Sequence, residues 1–255
     1  MSIEIVGVYK SFRQNGKKQV VLSGVDLTIP TSSSVTIIGR SGTGKSVLLK
    51  LITRLFFPDA GSIRVDGIEV TTASRGSIYE LRENIGFLFQ GSALFDSMTV
   101  RENVGFALCE RSKLALKEIN DIVIQRLKAV GLKEDVLDKM PSELSGGMKK
   151  RVALARVLAT DPKYILYDEP TTGLDPITAD AINDLIISTR EQFGVTSIVV
   201  THDMTSAFKV SDYVAMLYGG RIIEWGTPEE ILKTQNPYVR QFVQGSSKGP
   251  ISMLE

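Results

Sequence analysis

The 255-residue sequence contains a single cysteine, Cys109, and a single histidine, His202. One thiol cannot close an intrachain disulfide and suits a reducing compartment, so Cys109 reads as a small apolar residue. The same scarcity leaves no set of zinc ligands. No apolar run reaches the roughly 18 residues a membrane span requires, so work at a membrane would need a docking partner. The opening "MSIEIVGVYKSF" carries Glu4 where a secretory leader has basic residues, and it alternates like a strand; it is not read as a signal peptide. Neither sign of charge is in excess. A net charge of +1 gives no broad basic surface, and nucleic acid is not an expected partner.

What is present reads as one α/β domain over residues 1–255. Strand-like runs recur: "IEIVGVY" (3–9), "SVTIIG" (34–39), "SIRVDG" (62–67), "NIGFLFQ" (84–90), "YILYDE" (164–169), "TSIVVTH" (196–202), "YVAMLYGG" (213–220) and "RIIEWG" (221–226). The runs at 34, 164 and 196 are nearly all apolar, as strands buried on both faces of a parallel sheet are. Helix-like segments lie between the runs, which predicts helices packed on a sheet. "MLYGGRIIEW" predicts a hairpin turning on Gly219 and Gly220. From about 92 to 160 no strand signal appears, so this stretch is predicted to be a helical insertion. Within it Ile119, Ile122, Val123 and Leu127 share one helical face, and Gly131 suits a helix end. Thr227, Pro228 and Glu230 form a capping box. The tail over 241–255 turns small and polar from Gly245 and is expected to be mobile or held by a partner.

"GRSGTGKS" (39–46) lies between an apolar strand and an apolar helix. Gly39, Gly44, Lys45 and Ser46 satisfy the phosphate-loop spacing. Glycines let the backbone N–H groups of Arg40, Ser41, Gly42 and Thr43 curl toward phosphate oxygens, and the helix beginning near Gly44 adds its positive end. Lys45 then neutralises β- and γ-phosphates, and the Ser46 hydroxyl ligates Mg²⁺. "YILYDEP" supplies Asp168 and Glu169 at the carboxyl end of a strand, where α/β sheets bind ligands. Asp168 holds Mg²⁺ directly or through water, and Glu169 polarises a water against the γ-phosphate. In "ELSGGMKKRVALARVL" (143–158) Ser145 is a natural N-cap. A helix opened by Gly146 and Gly147 makes a second anion site, with Val152, Leu154, Ala155 and Leu158 as its apolar positions. Asp161–Pro162 ends that helix.

"LSGGM" resembles the signature of ABC ATPases, and the order of phosphate loop, glutamine, signature, "YDEP", "GLDP" and histidine is similar to theirs across almost the whole chain. The resemblance implies a P-loop NTPase of ABC type: a mixed β-sheet core flanked by helices, an inserted helical subdomain and a small antiparallel β part. It implies ATP and Mg²⁺ as ligands. It also implies a head-to-tail homodimer in which Ser145, Gly146 and Gly147 of one copy cover ATP held by the other. By the same resemblance Gln90 reaches Mg²⁺ and the attacking water, and Asp175 crosses the dimer interface. His202 contacts the γ-phosphate, and Phe12 stacks on adenine, with Tyr9 as the competitor.

A separate membrane subunit is implied too, seated near "FQGSALFDSMTVRENV" (89–104), where Leu94, Phe95, Met98 and Val100 offer an apolar surface or pack the insertion's own core. "SALFDSMTV" and "VRQFVQGSSKGPI" are similar to the ATPases of Mce/Mla-type lipid transporters, the MlaF and Mkl group. That likeness implies phospholipid transport at the cytoplasmic face of a bacterial inner membrane, with integral permease subunits and an Mce-type lipid-binding protein as partners. Residues 241–255 depart from the short ending of a minimal ATPase domain, which suggests that this tail contacts the partner ATPase. Two rivals keep the same catalytic residues: the ATPase of an amino-acid or other small-solute importer, and a soluble ABC-type assembly ATPase that transports nothing. A nucleotide-binding module without hydrolysis is disfavoured by Glu169 and His202.

Overall fold

The computed structural model describes residues 2–14 and 16–252. In chain order it contains β1 (Ser2–Gln14), β2 (Lys17–Pro30), β3 (Ser34–Ile38), α1 (Lys45–Ile52), β4 (Ala60–Val65), β5 (Ile68–Glu69), α2 (Arg75–Glu83) and β6 (Ile85–Leu88). Next come α3 (Val100–Arg111), α4 (Leu116–Ala129), α5 (Gly146–Leu158), β7 (Tyr164–Asp168), α6 (Pro176–Phe193) and β8 (Thr196–Thr201). The chain continues with α7 (Met204–Val210), β9 (Tyr213–Tyr218), β10 (Arg221–Gly226), α8 (Pro228–Leu232) and α9 (Pro237–Val243). Two compact units result. One joins the residues up to Leu81 with those from Ile198 onward, and the other is Arg82–Ser197.

The first unit holds an antiparallel sheet of order β2-β1-β4-β5. It also holds β9, which pairs parallel with β3 on one side and antiparallel with β10 on the other. All five residues of β3 are buried, as its unbroken apolar run predicts. The β9–β10 hairpin turns on Gly219 and Gly220 at φ 57° and 76°, the positive values that a two-residue hairpin turn demands. Thr227 caps α8 with Pro228 in its first turn and Glu230 reaching back to the Thr227 N–H at 2.7 Å. The strand-like runs named above omit β2. Its first four residues are exposed, and its pairing with β1 slips register three times, so a period of two survives only from Val25 to Ile29.

The second unit carries the predicted helices. Ile119, Val123 and Leu127 of α4 are buried and Ile122 is half-buried, while Val152, Leu154, Ala155 and Leu158 of α5 are buried too. β6 and β7 pair parallel in the same unit, Ile85 opposite Tyr164 and Leu88 opposite Tyr167. The unit is therefore wider than the 92–160 insertion.

The tail, expected to be mobile or partner-held, is held by its own chain as far as it is described. Ile251, 7% exposed, packs with Ile38, Ala207, Val214, Met216, Ile231 and Val239. Gln241, itself buried, accepts from the Ile251 N–H at 2.7 Å and donates to the Ile251 and Ser246 carbonyls at 3.2 Å each. Burial of one such side chain contributes about 1.5–3 kcal/mol. Replacing Gln241 by Ala leaves the Ile251 amide without its acceptor and should cost about 1–3 kcal/mol. Ser246→Ala, at an exposed turn, should change stability by less than about 0.5 kcal/mol. Denaturant unfolding of the two variants checks this; equal stabilities would remove the role given to Gln241.

Candidate functional site

The glycine-rich loop belongs to the first unit and joins β3 to α1. A Cβ on Gly39 would lie 2.5 Å from the Leu217 carbonyl oxygen of β9, so the loop's first residue has room for no side chain. Gly44 caps α1 in the left-handed conformation, at φ 104°. Lys45, the first residue of α1, is 5% exposed. Its Nζ donates to the Gly39 carbonyl at 2.8 Å and the Arg40 carbonyl at 3.0 Å, so the ammonium sits within the loop's own curve. Thr43 closes the turn, its hydroxyl donating to the Arg40 carbonyl at 2.9 Å. Ser41 and Gly42 are exposed, and Ser46 is half-buried in the first turn of α1. The first turn of a helix leaves N–H groups unsatisfied and partially positive, which suits an anion.

A hollow of about 330 Å³ lies at this loop, lined among others by Gln19, Val20, Arg40, Gly42, Thr43 and Tyr218. Gln19 is the register partner of Phe12, whereas Tyr9 lies opposite Ser23. The pairing places Phe12 nearer the hollow along the strand. Its ring packs edge-on against Phe56, centroids 5.4 Å apart, with the Lys10 ammonium 5.1 Å from its centre. Tyr9 is turned to Gly24, where its hydroxyl would be 3.0 Å from an added Cβ. His202 follows the last residue of β8 and is exposed. One thread links the tail to the loop: the Arg40 guanidinium donates to the Ser252 carbonyl at 2.7 Å.

The second unit gathers the acids, Gln90 and the signature. Asp168 is 6% and Glu169 9% exposed, at the carboxyl end of β7. Glu169 sits at φ 50°, a strained value for a residue with a side chain. Thr172 holds it there: the hydroxyl donates to Glu169 Oε2 at 3.0 Å and the amide to the Glu169 carbonyl at 3.3 Å. Gln90 is exposed just beyond β6. Ser145 caps α5 as expected, accepting from the Met148 amide at 3.3 Å. Gly146 and Gly147 open the helix, and a Cβ on Gly147 would lie 2.6 Å from Thr178 Cγ2 of α6. Asp175 is the N-cap of α6, accepting from the Ile177 and Thr178 amides and, at 2.6 Å, from the Thr178 hydroxyl. The Thr178 hydroxyl, ahead of the amides, holds the Asp175 carboxyl below the usual carboxylate range.

Sequence reasoning missed two cations on α5. Lys150 is 5% exposed, and its Nζ donates to the Gln90 carbonyl. Burial pushes its ammonium below the ordinary lysine value, against the opposing pull of Asp168 and Glu169. Arg156 donates to the Ser92 carbonyl at 3.0 Å and the Ala93 carbonyl at 2.8 Å, and burial lowers its guanidinium too. Ser92 and Ala93 have φ 65° and 48°, so Arg156 ties down a strained turn. A signal for Lys150 was available. It shares the i, i+4, i+7 face with buried Leu154 and Val157, an odd place for a lysine.

The same unit has an apolar groove of about 320 Å³, lined by Phe89, Phe95, Phe106, Arg82, Arg111 and Arg156 among others. Phe95 is 41% exposed and stands 4.8 Å from Phe106, ring centre to ring centre. Of the four residues expected to offer an apolar surface, Phe95 lines this groove, Leu94 and Met98 are half-buried, and Val100 is buried completely.

Two helix N-termini of this kind can bind anions, and a carboxylate such as Glu169 can do acid–base work. The Ser46 hydroxyl in the first unit, and the Asp168 carboxylate and Gln90 amide in the second, are oxygen groups of the kind Mg²⁺ accepts. Among the described residues no group of three or more His, Cys, Asp or Glu is placed to hold a metal ion.

A family model described as "ABC transporter" matches residues 22–172. The chain is similar to the probable ribonucleotide transport ATP-binding protein mkl of Mycobacterium tuberculosis, 42% identical over 255 residues, which are 100% of this chain and 70% of that one. It is also similar to the intermembrane phospholipid transport system ATP-binding protein MlaF of Haemophilus influenzae, 40% identical over 233 residues, covering 91% and 88% of the two. Among solved structures it resembles the ATP-binding cassette MJ0796, a dimer in a post-hydrolysis state bound to ADP and Pi. The TM-score is 0.82 at 32% identity, covering 89% of this chain and 98% of that one. The likeness shows the expected fold, mixed sheets flanked by helices.

The approach of α5 to α6 yields a test. Gly147→Ala should destabilise the protein by about 1–3 kcal/mol through the clash with Thr178. Thr178→Ser, which removes Cγ2 and keeps the hydroxyl that Asp175 accepts from, should restore most of it. Thermal unfolding of the single and double variants reads this out; an additive double variant would mean that the two side chains do not meet.

Proposed function

Since this chain belongs to the ABC transporter ATPases, we propose that it is the ATP-hydrolysing motor of a membrane complex that moves phospholipid between bacterial envelope membranes. The observation that carries the motor reading is the pair of helix N-termini built for anions, at α1 and α5, together with the buried Asp168–Glu169 pair. The backbone amides of residues 40–46 and the Lys45 ammonium bind the β- and γ-phosphates. Lys45 exchanges the Gly39 and Arg40 carbonyls for phosphate oxygens, because a full negative charge attracts it more strongly than two neutral acceptors do. Ser46, Asp168 and Gln90 would hold Mg²⁺, which when bound supplies positive charge against the phosphate oxygens. Glu169 accepts the proton of the attacking water, His202 hydrogen-bonds the γ-phosphate, and Phe12 covers the adenine.

Two copies pair head to tail, so that the Ser145–Gly147 terminus of each covers ATP on the other and Asp175 lies at the seam. The dimer of the similar MJ0796 cassette supports this. ATP closes the pair, and loss of the γ-phosphate reopens it. The apolar groove at Phe89, Phe95 and Phe106 suits a cytoplasmic helix of an integral permease subunit. Among the described residues no helix is long and apolar enough to cross a membrane. The likeness to MlaF supports a peripheral place at the cytoplasmic face of the inner membrane. The phospholipid reading rests on the likeness to MlaF, and an Mce-type lipid-binding protein would complete the complex. The likeness to mkl, a probable ribonucleotide transport ATP-binding protein, favours a second cargo, a ribonucleotide.

Two variants test the motor. Lys45→Ala should weaken nucleotide binding at least about tenfold. Glu169→Gln should bind ATP normally and hydrolyse it about 100- to 10,000-fold more slowly. Near-native turnover in Glu169→Gln would end the role given to that carboxylate. For the cargo, the complex purified from its native membrane should bring an integral permease and bound phospholipid. Copurified ribonucleotide without lipid, or a chain that stays soluble and alone, would overturn the lipid reading.

A further inference from the structure

Lys150 stands at the meeting of three segments that the proposed reaction uses. It rises from the second turn of α5, the helix whose N-terminus is the second anion site. Its ammonium donates to the carbonyl of Gln90, and it lies close enough to Asp168 and Glu169 to feel both charges. An ammonium removed from solvent persists only where it is bonded or paired, so this lysine's place is determined by those partners. Six residues along the helix, Arg156 grips the carbonyls of Ser92 and Ala93. The backbone from Gln90 to Ala93 is thus attached to α5 by two cations, and its strained turn cannot relax while they hold.

We propose that Lys150 is a positioning residue for hydrolysis: it fastens the Gln90 backbone to α5, so that the Gln90 side chain moves as one body with the helix that carries the second anion site. A nucleotide bound at the N-terminus of α5 then sets where Gln90 stands relative to the attacking water. A methionine of similar length would fill the space without donating to that carbonyl. An arginine would donate to it.

This inference rests on the role given to Gln90 above, and the test separates the two. The full chain, in the complex it purifies with, is assayed for steady-state ATP hydrolysis as Lys150→Met, Lys150→Arg, Gln90→Ala and the double variant Lys150→Met/Gln90→Ala. Lys150→Met should lower kcat about tenfold to 100-fold, the scale of a misplaced reacting group, while KM for ATP stays within about twofold. Lys150→Arg should recover most of the rate. The double variant should be no slower than Gln90→Ala, because the lysine acts through the glutamine. Native turnover in Lys150→Met beside a slow Gln90→Ala would overturn the inference and leave the motor reading intact. So would losses that multiply, or an arginine variant no better than methionine with rates that follow the melting temperature. Native turnover in Gln90→Ala would remove the role of the glutamine itself. Should Lys150→Met fail to fold, Lys150→Leu takes its place in each comparison.

Discussion

A charge withdrawn from water must be answered by the protein, and that constraint shapes each of the two units. Lys45, Lys150, Asp168 and Glu169 are all nearly inaccessible to solvent. Leaving any one of them without a counterpart costs several kcal/mol. In the first unit the answer to Lys45 comes from two carbonyls of the loop that it serves. The loop therefore has its curl before a phosphate arrives, and little reorganisation is left to offset binding. In the second unit a cation, two carboxylates and a carbonyl answer one another. Their mutual dependence makes α5, the end of β7 and the segment after β6 parts of a single electrostatic arrangement.

Part of the backbone strain falls at the candidate site. Glu169, Ser92 and Ala93 carry side chains at positive φ, a conformation costing about 1–3 kcal/mol each. Each has a visible restraint: Thr172 on Glu169, and Arg156 on the two carbonyls of the Gln90 segment. Such a residue cannot drift to an easier geometry without breaking a hydrogen bond. The carboxylate that hydrolysis would use, and the backbone that carries Gln90, are thus restrained.

Helix α5 connects these effects. Its N-terminus is capped by Ser145, its second glycine lets α6 approach within contact of Thr178, and its interior lysine and arginine hold the segment after β6. A helix resists bending over this length, so displacement at one end reaches the other. In the first unit the tail has a comparable effect on a smaller scale. Ile251 joins the hydrophobic cluster that contains Ile38, the residue just before the phosphate loop, and Ser252 accepts from Arg40 inside that loop.

Chemistry that depends on neighbours in the chain could be read directly. The phosphate loop, the acids ending an apolar strand, the Ser145 cap, the Gly219–Gly220 turn and the Thr227 capping box each need only a few adjacent residues of the right type. The side chain and φ preferences of those residues act locally. Strand β2 escaped because its first half is exposed and irregular, leaving the alternation only from Val25 to Ile29. Lys150 and Arg156 escaped because their partners are the carbonyls of Gln90, Ser92 and Ala93, some sixty residues earlier, and a backbone carbonyl has no signature in sequence. Gly147 looked like part of an anion site, and the fold adds a steric reason that lies in α6. The tail looked free because its residues are small and polar, yet one isoleucine and one buried glutamine suffice to hold it once the cluster around Val239 exists. Sequence alone marked the groups proposed to meet the phosphates and the attacking water. Only the tertiary structure decided which distant charges and carbonyls hold those groups still, because burial and hydrogen-bond partners are properties of packing.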